Sequence, residues 1–327
     1  SEGSEVEIVL DKSPFYAEGG GQTGDSGIIS ADGWKVEVTD VRKPVPTLFV
    51  HKGRVLRGEI KTGDKAIAKV DEQGRLATAS NHTATHILHS VLKYVLGDHV
   101  KQAGSLVSKE RLRFDFTHFS SIDKRDLDRI EELVNERIRE NADASVSVMS
   151  IDEAVNSGAT ALFGEKYGER VRVVSVGDFS KELCGGTHIS AAGDIGFFKI
   201  IGESSVAAGV RRIEALTGAE AYIYIKQQED AIRNLSEALK AAPSDVVAKV
   251  EKLNLLLKEK EKEIERLKGR LSSSQAGDII AEARVIEGVR VLSKKVDGLD
   301  MKDLRTFGDS LRDKIKSGII ALGSSKE

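Results

Sequence analysis

The sequence predicts an α+β protein built from four successive parts. Short segments rich in β-branched residues and interrupted by glycine or proline fill residues 1–75, which is typical of a small antiparallel β-barrel. Helical and strand patterns alternate over residues 76–218. The pattern is then almost wholly helical over 219–273, which predicts an antiparallel hairpin or coiled coil. A strand and a helix follow over 274–327, a short α/β piece.

The first part contains a glycine-rich run between its first two predicted strands. The four strand patterns lie at residues 6–10, 27–29, 34–39 and 47–51. Gly19, Gly20 and Gly21 allow the backbone to approach a ligand closely, and Gln22 follows them with a polar side chain. A plain β-turn explains the same glycines. A Walker loop is excluded because no Gly-Lys-Ser/Thr follows.

The second part begins with a predicted helix over 76–97 that carries two histidines. Its apolar residues recur at helical spacing and should bury one stripe. His82 and His86 are four residues apart, so both imidazoles project from one face. Polar residues on a solvated helix face would show the same spacing. We interpret His89, three residues after His86, as a residue beside the site or on the surface.

A second motif with the same spacing contains the chain's single cysteine. Cys184 and His188 flank Gly-Gly-Thr and complete a set of three imidazoles and one thiolate with His82 and His86. Zn²⁺ accepts such mixed nitrogen and sulfur donors in tetrahedral geometry. The helix motif lacks a Glu after its first His, which excludes the zinc-protease helix.

Further patterns connect and follow these motifs. Strands are predicted at 100–107, 111–116, 144–150, 169–176, 197–201 and 210–216, with a helix over 122–140 that begins at Asp123. A break at Pro243 separates two long helices, of which the second has an apolar seam. The seam comprises Val246, Val250, Leu253, Leu257, Ile264, Leu267 and Leu271, with Lys260 as its polar member. A linker is predicted at 272–277.

Composition narrows the class of protein. Of the 327 residues 40% are hydrophobic and 31% are charged, as in soluble globular proteins. One cysteine excludes an internal disulfide, and no apolar run approaches the roughly 20 residues that span a bilayer. Because the first residues also lack a signal-peptide pattern, we expect a cytoplasmic protein. The net charge of −3 does not indicate nucleic-acid binding, although a local basic patch would suffice.

Five motifs resemble the editing region of the alanyl-tRNA synthetase family, in the family's order and over essentially the whole chain. They lie at residues 13–25, 82–86, 111–116, 184–188 and 209–218. The resemblance extends to free-standing alanyl-tRNA editing proteins. It implies a zinc-dependent editing domain at 76–218, after an aminoacylation domain that this chain lacks. It also implies that 274–327 is a truncated piece of a C-terminal domain that binds tRNA and dimerises.

The resemblance implies an aminoacyl-tRNA deacylase acting in translation. The expected substrates are alanine tRNA mischarged with serine or glycine, since an alanine pocket discriminates weakly against both. Gln102 matches a family position implicated in editing, and Ser13 stands where the family usually has a threonine that recognises serine. Gly19, Gly20, Gly21 and Gln22 would then form a wall of the substrate pocket, and the helical hairpin with the C-terminal piece would form a homodimer.

Two alternatives stay open. One is a free-standing deacylase that edits in trans. The other is a catalytically silent module for tRNA binding and dimerisation, with a structural zinc. Hydrolysis of serine-charged tRNA separates both deacylase hypotheses from the silent module, and gene context separates the two deacylases from each other.

Overall fold

The computed structural model describes residues 2–161, 168–296 and 301–325. The chain divides into two compact units, Ser1–Glu229 and Asp230–Glu327. All residues predicted above to bind metal or substrate belong to the first unit. Among the helices of the described ranges, none is long and apolar enough to cross a bilayer.

The first unit opens with an antiparallel sheet. Its strands are β1 (Glu5–Val9), β2 (Gly27–Ala31), β3 (Trp34–Val45), β4 (Leu48–Arg57) and β5 (Ile67–Val70). They follow the order β1-β4-β3-β2-β5. Trp34, Val36 and Val38 of β3 are buried and alternate with exposed residues, as expected of a sheet with one covered face. These side chains pack with Phe15 and Ile29 in a separate core.

This sheet is open, so the predicted β-barrel is wrong. Closure requires the two edge strands of the sheet to pair. Within the described residues β1 pairs with β4 alone, and β5 pairs with β2 alone. The four-residue strand β5 was not predicted. Apolar alternation identifies strands, but it carries no information about whether two edges meet.

The histidine-bearing helix α1 (Glu72–Leu96) is buried on more than its apolar side. It begins at Glu72, earlier than the predicted residue 76, because the Asp71 side chain accepts a hydrogen bond from the Gly74 N–H and caps the helix. The predicted apolar stripe is buried except at Val95 and Leu96, which are partly buried, and the polar run from Asn81 to His86 is buried as well. The histidines therefore face protein and not bulk solvent.

Two antiparallel sheets and two helices follow α1. The elements are β6 (Gln102–Val107), β7 (Leu112–Thr117), α2 (Lys124–Arg139), β8 (Ala144–Ser150), α3 (Ile151–Asn156), β9 (Arg170–Val176), β10 (Ser180–Leu183), β11 (Phe198–Ala207) and β12 (Val210–Thr217). The sheets have the orders β11-β12-β7-β6 and β10-β9-β8. Asp123 caps α2, which confirms the predicted start. Leu88, Phe114 and Phe198 belong to the core that joins α1 to the larger sheet.

The second unit has a small core of its own. Helix α4 (Gly218–Leu239) leads into this unit, and the remaining elements are α5 (Val246–Ile280), β13 (Arg284–Ile286), β14 (Val289–Lys295), α6 (Met301–Ile315) and β15 (Ile319–Gly323). The strand order is β13-β14-β15, with the second pair parallel. The predicted linker at 272–277 is wrong because α5 continues through it, and Ile279 near the helix end packs with Leu292 and Phe307.

The apolar seam of α5 is exposed within the chain. The exposed fractions are 40% for Val250, 58% for Leu257 and 54% for Ile264. A short 3-10 helix, Pro243–Asp245, occupies the predicted break before α5. The side chains of 271–277 lie outside the described part of the structure, so the seam position of Leu271 does too. Pairing of this seam in a coiled coil or homodimer stays a prediction.

Candidate metal centre and its cavity

Four side chains from two segments converge in the first unit. His82 and His86 lie on α1, and Cys184 and His188 lie on the loop that leaves β10. One ligand atom from each residue can be chosen so that all four lie within 4.8 Å of one another. Cys184 Sγ is 3.4 Å from His82 Nε2 and 3.3 Å from His188 Nε2. The predicted ligand set thus forms one cluster that could hold a metal ion.

Hydrogen bonds hold two of the imidazoles in the tautomer with the proton on Nδ1, which leaves Nε2 able to bind a metal. His82 Nδ1 lies 2.7 Å from Gln22 Oε1, a carboxamide oxygen that can only accept, so the proton is on Nδ1. Thr83 donates its own hydroxyl proton to a backbone oxygen and therefore accepts from His188 Nδ1 at 3.0 Å. In both rings Nε2 keeps a free lone pair near Cys184. Metal-binding histidines commonly have such a partner on the other nitrogen.

The two ring nitrogens of His86 have different surroundings from those of His82 and His188. Its Nδ1 is buried and has no hydrogen-bond partner among the described residues, a costly arrangement unless something else binds there. Its Nε2 is 3.6 Å from Glu182 Oε2, and the same carboxylate accepts from His89 Nδ1 at 2.8 Å. His86 thus has an unsatisfied nitrogen, and one of its ring nitrogens lies within 4.8 Å of the ligand atoms of the other three residues, which fits a metal ligand. His89 is buried beside the site and is not a surface residue.

The electrostatics of the cluster favour neutral imidazoles. Burial lowers the pKa of His82 and of His188 well below the ordinary value, and the neighbouring imidazoles and Arg172 lower it further. Burial also lowers the pKa of His86, against the opposing charge of Glu182. Burial by itself would raise the pKa of Glu182, but the interactions with His86 and His89 bring it below its usual value. Neutral rings are the form that coordinates metal.

Steric crowding requires one of the two glycines of the cysteine loop. A Cβ on Gly186 would lie 2.1 Å from His82 Cε1, so the loop can pass this ring only as glycine. A Cβ on Gly185 would meet nothing within 4 Å. Arg172 Nη1 donates to the carbonyl oxygens of Cys184 and Gly186, both at 2.8 Å, and fixes the loop.

The glycine-rich run reaches the same loop through Gln22. This side chain is fully buried. Its Nε2 donates to Thr187 Oγ1 at 2.8 Å, and its Oε1 accepts from the Thr187 N–H at 2.9 Å as well as from His82. Gly21 has a φ of 80°, and a Cβ there would lie 2.7 Å from the Ser105 carbonyl oxygen. The glycines thus bring the backbone against β6 and deliver Gln22 to the metal cluster.

A cavity of about 380 Å³ opens beside the cluster. Of the residues predicted to act in the site, it is lined by His82, His86, Gly19, Gly20, Gln102 and Cys184. Gly21, Gln22, Ser13 and His188 are not among its lining residues.

Ser13 is engaged with a histidine. Its hydroxyl oxygen is 2.6 Å from His51 Nε2 and accepts from the Phe15 N–H at 3.1 Å. His51 Nδ1 donates to the Ile8 carbonyl oxygen at 2.9 Å, so Nε2 is the acceptor and Ser13 donates to it. Phe15, next to this pair, lines the cavity.

The comparisons with known proteins agree with these motifs. A family model described as "tRNA synthetases class II (A)" matches residues 1–74, and one described as "Threonyl and Alanyl tRNA synthetase second additional domain" matches residues 171–214, which include Cys184 and His188. Alanine–tRNA ligase of Acetivibrio thermocellus is 48% identical over 322 residues, 98% of this chain and 37% of the relative. The chain belongs to the alanyl-tRNA synthetase family.

Other ligases of the family are equally similar. The enzyme of Desulfosudis oleivorans is 49% identical over 326 residues, and that of Carboxydothermus hydrogenoformans is 49% identical over 323 residues, each covering 99% of this chain. The chain spans about 37% of the length of these curated alanyl-tRNA synthetase relatives.

Two polar residues around the cluster were not predicted from the sequence. Glu182 faces His86 and His89, and Arg172 holds the cysteine loop. Glu182 lies in β10, two residues before the predicted ligand Cys184, and residues at that spacing in a strand share one face. That spacing was the available signal. For Arg172, whose partners are backbone oxygens, the sequence held no signal.

Proposed function

We propose that this chain is a proofreading hydrolase that removes serine or glycine from mischarged alanine tRNA. The observation that carries the proposal is the position of the His82, His86 and Cys184 side chains on the wall of a cavity, with Gln102 among its lining residues. Membership of the alanyl-tRNA synthetase family supports the RNA substrate. The bond cleaved is the ester between the amino acid and the terminal ribose, with water as the nucleophile.

The proposed metal is Zn²⁺, held by His82, His86, Cys184 and His188. The cluster fits this ion because it offers one thiol and two imidazoles with free lone pairs, and because His86 Nδ1 is buried without a described partner. When bound, zinc would supply a Lewis acid beside the scissile ester or position the terminal ribose. Gln22, Thr83 and Glu182 would keep the rings oriented.

The chain's own residues supply the remaining functions. Gln102 has a carboxamide that can donate to the ester carbonyl oxygen and accept from the attacking water. The backbone of Gly19 and Gly20 lines the cavity, where a side chain would occupy substrate space. Ser13 is proposed to recognise the serine hydroxyl. Since Ser13 already donates to His51, a lone pair of its oxygen remains for the substrate hydroxyl, and the methyl of alanine has no proton to offer it.

The test is deacylation of serine-charged alanine tRNA by the zinc-loaded chain, beside alanine-charged tRNA as the matched substrate. We expect loss of serine with alanine spared, and loss of this activity in Cys184→Ala and Gln102→Ala. Gln102→Ala should retain zinc, which separates catalysis from metal binding. If a folded, zinc-loaded chain leaves the seryl ester intact, the proposal is wrong and the silent tRNA-binding module gains support.

A further inference from the structure

The cavity has a buried end and an exposed end. His82 and His86 at one end are 6% and 4% exposed. Lys43 and Glu18, which also line the cavity, are exposed, and Phe49 is partly buried. A ligand whose reacting group lies near the buried histidines and whose other end reaches solvent leaves through the exposed part of the lining, to which Lys43 belongs.

Lys43 is distinctive among the lining residues. Of the described residues that line the cavity, it is the one lysine or arginine. Its ammonium nitrogen lies over the Phe49 ring, 5.0 Å from the centroid. This cation–π contact places a positive charge and an aromatic face side by side at the opening.

Phe49 is also the lining phenylalanine that is partly exposed. Phe15 lines the same cavity but is 3% exposed and packs edge-on against His51. Tyr16 donates its hydroxyl to the Gly19 carbonyl oxygen and supports the glycine run. Proteins that bind single-stranded RNA ends combine a cation for phosphate with an aromatic face for the base.

We propose that Lys43 and Phe49 form a subsite for the terminal nucleotide of the RNA, with the base on the Phe49 ring and the adjoining phosphate on Lys43. The inference rests on the proposed function, which places the aminoacyl ester at the buried end. In a terminal nucleotide the ester is on the 2′ or 3′ oxygen and the phosphate is on the 5′ oxygen, on the other side of the ribose. An ester near His82 and His86 thus directs the 5′-phosphate towards Lys43.

The cavity size agrees with a nucleotide ligand. Its volume of about 380 Å³ falls within the roughly 300–1,000 Å³ of pockets that enclose whole small molecules. In the complex the Lys43 ammonium leaves the ring for the phosphate, and the base takes its place on the exposed ring face.

Two non-hydrolysable probes test the subsite: 3′-(serylamino)-3′-deoxyadenosine with and without a 5′-phosphate, titrated calorimetrically into the zinc-loaded chain. We expect the phosphorylated probe to bind about three- to fivefold more tightly, the size of an exposed ion pair. Lys43→Ala should abolish that preference, and Lys43→Arg should keep it. Lys35→Ala, an exposed lysine of the same strand outside the cavity, is the control and should behave like wild type.

The base contact is tested with the same probes. Phe49→Leu should weaken both probes by roughly fivefold or more, whereas Phe49→Trp should retain affinity because an aromatic face remains. The proposal is overturned if wild type binds neither probe, if it binds both equally, or if Lys43→Ala keeps the preference. Because binding is measured without turnover, a chain that shows the phosphate preference but hydrolyses no ester would refute the proposed function and leave this subsite standing.

Discussion

Gln22 of the glycine-rich run and His82 of helix α1 share a 2.7 Å hydrogen bond, although 60 residues separate them in sequence. The same Gln22 oxygen also accepts from the Thr187 N–H. One buried carboxamide thus fixes the proton of a candidate metal ligand and the backbone of the cysteine loop. The glycine-rich run therefore contributes to the candidate metal centre as well as to the cavity wall.

Replacement of Gln22 should weaken zinc binding without removing a ligand. In Gln22→Ala the His82 Nδ1–H and the Thr187 N–H lose their acceptor, which should reduce zinc affinity about 10- to 100-fold. Gln22→Glu keeps the acceptor oxygen and should lose less. Chelator competition measures the affinities, with Gln73→Ala, an exposed residue of α1, as the control. Unchanged affinity in Gln22→Ala would contradict the role given to this bond.

The two adjacent glycines of the cysteine loop should differ in their tolerance of one added methyl group. Gly186→Ala places a Cβ against the His82 ring and should destabilise the fold by about 1–3 kcal/mol, with a loss of zinc affinity. Gly185→Ala meets nothing within 4 Å and should stay within about 0.5 kcal/mol of wild type. Urea denaturation measures both. Equal effects of the two substitutions would show that the loop does not pack as described.

Glu182 should support the centre through His86 and His89. Glu182→Gln removes the charge that faces His86. We expect the zinc affinity to fall by a factor of at most about ten. Glu182→Ala should cost a further 1–3 kcal/mol, approximately, because His89 Nδ1 loses its buried partner. Glu110→Gln, an exposed acid, serves as the control in chelator competition and urea denaturation. Wild-type affinity in both Glu182 variants would rule out this support.

The Ser13–His51 pair should make stability depend on pH. Burial lowers the pKa of His51 below its usual 6.5, so the folded chain binds fewer protons here than the unfolded chain does. This contribution to stability is present above pH 6.5 and is lost as the pH falls through 6.5 towards the lower folded pKa.

Comparison with a variant isolates this contribution. Between pH 7.5 and pH 5.5, wild type should lose more unfolding free energy than His51→Gln, whose carboxamide can still accept from Ser13. Both proteins share the metal cluster, so its own titration cancels in the comparison. Equal losses in urea denaturation at the two pH values would count against a buried neutral His51.

Local spacing was sufficient to predict that four side chains form one cluster. His82 and His86 at helical spacing, and Cys184 and His188 at the same spacing, lie together as the two motifs suggested. The residues that orient them were harder to predict. Gln22 reaches His82 and Thr187 through tertiary contacts, and a carboxamide in a glycine run indicates neither partner.

The errors in the fold have related causes. The prediction of a closed barrel was wrong because pairing of β1 with β5 depends on sheet curvature, which apolar alternation does not encode. The prediction of a linker at 272–277 was wrong because serine and glycine disfavour a helix only weakly. The core contacts of Ile279 at the far end of α5 outweigh that preference and keep the helix continuous.

The distance along the chain between Gln22 and Thr187 also sets an order of assembly during synthesis. These partners are 165 residues apart. At roughly 5–20 residues per second, a ribosome delivers Thr187 on the order of ten to thirty seconds after Gln22. Until then the nascent glycine-rich run has no loop to bind, and the α1 histidines await half of their ligand set. The candidate metal centre can close only after both segments have left the ribosome.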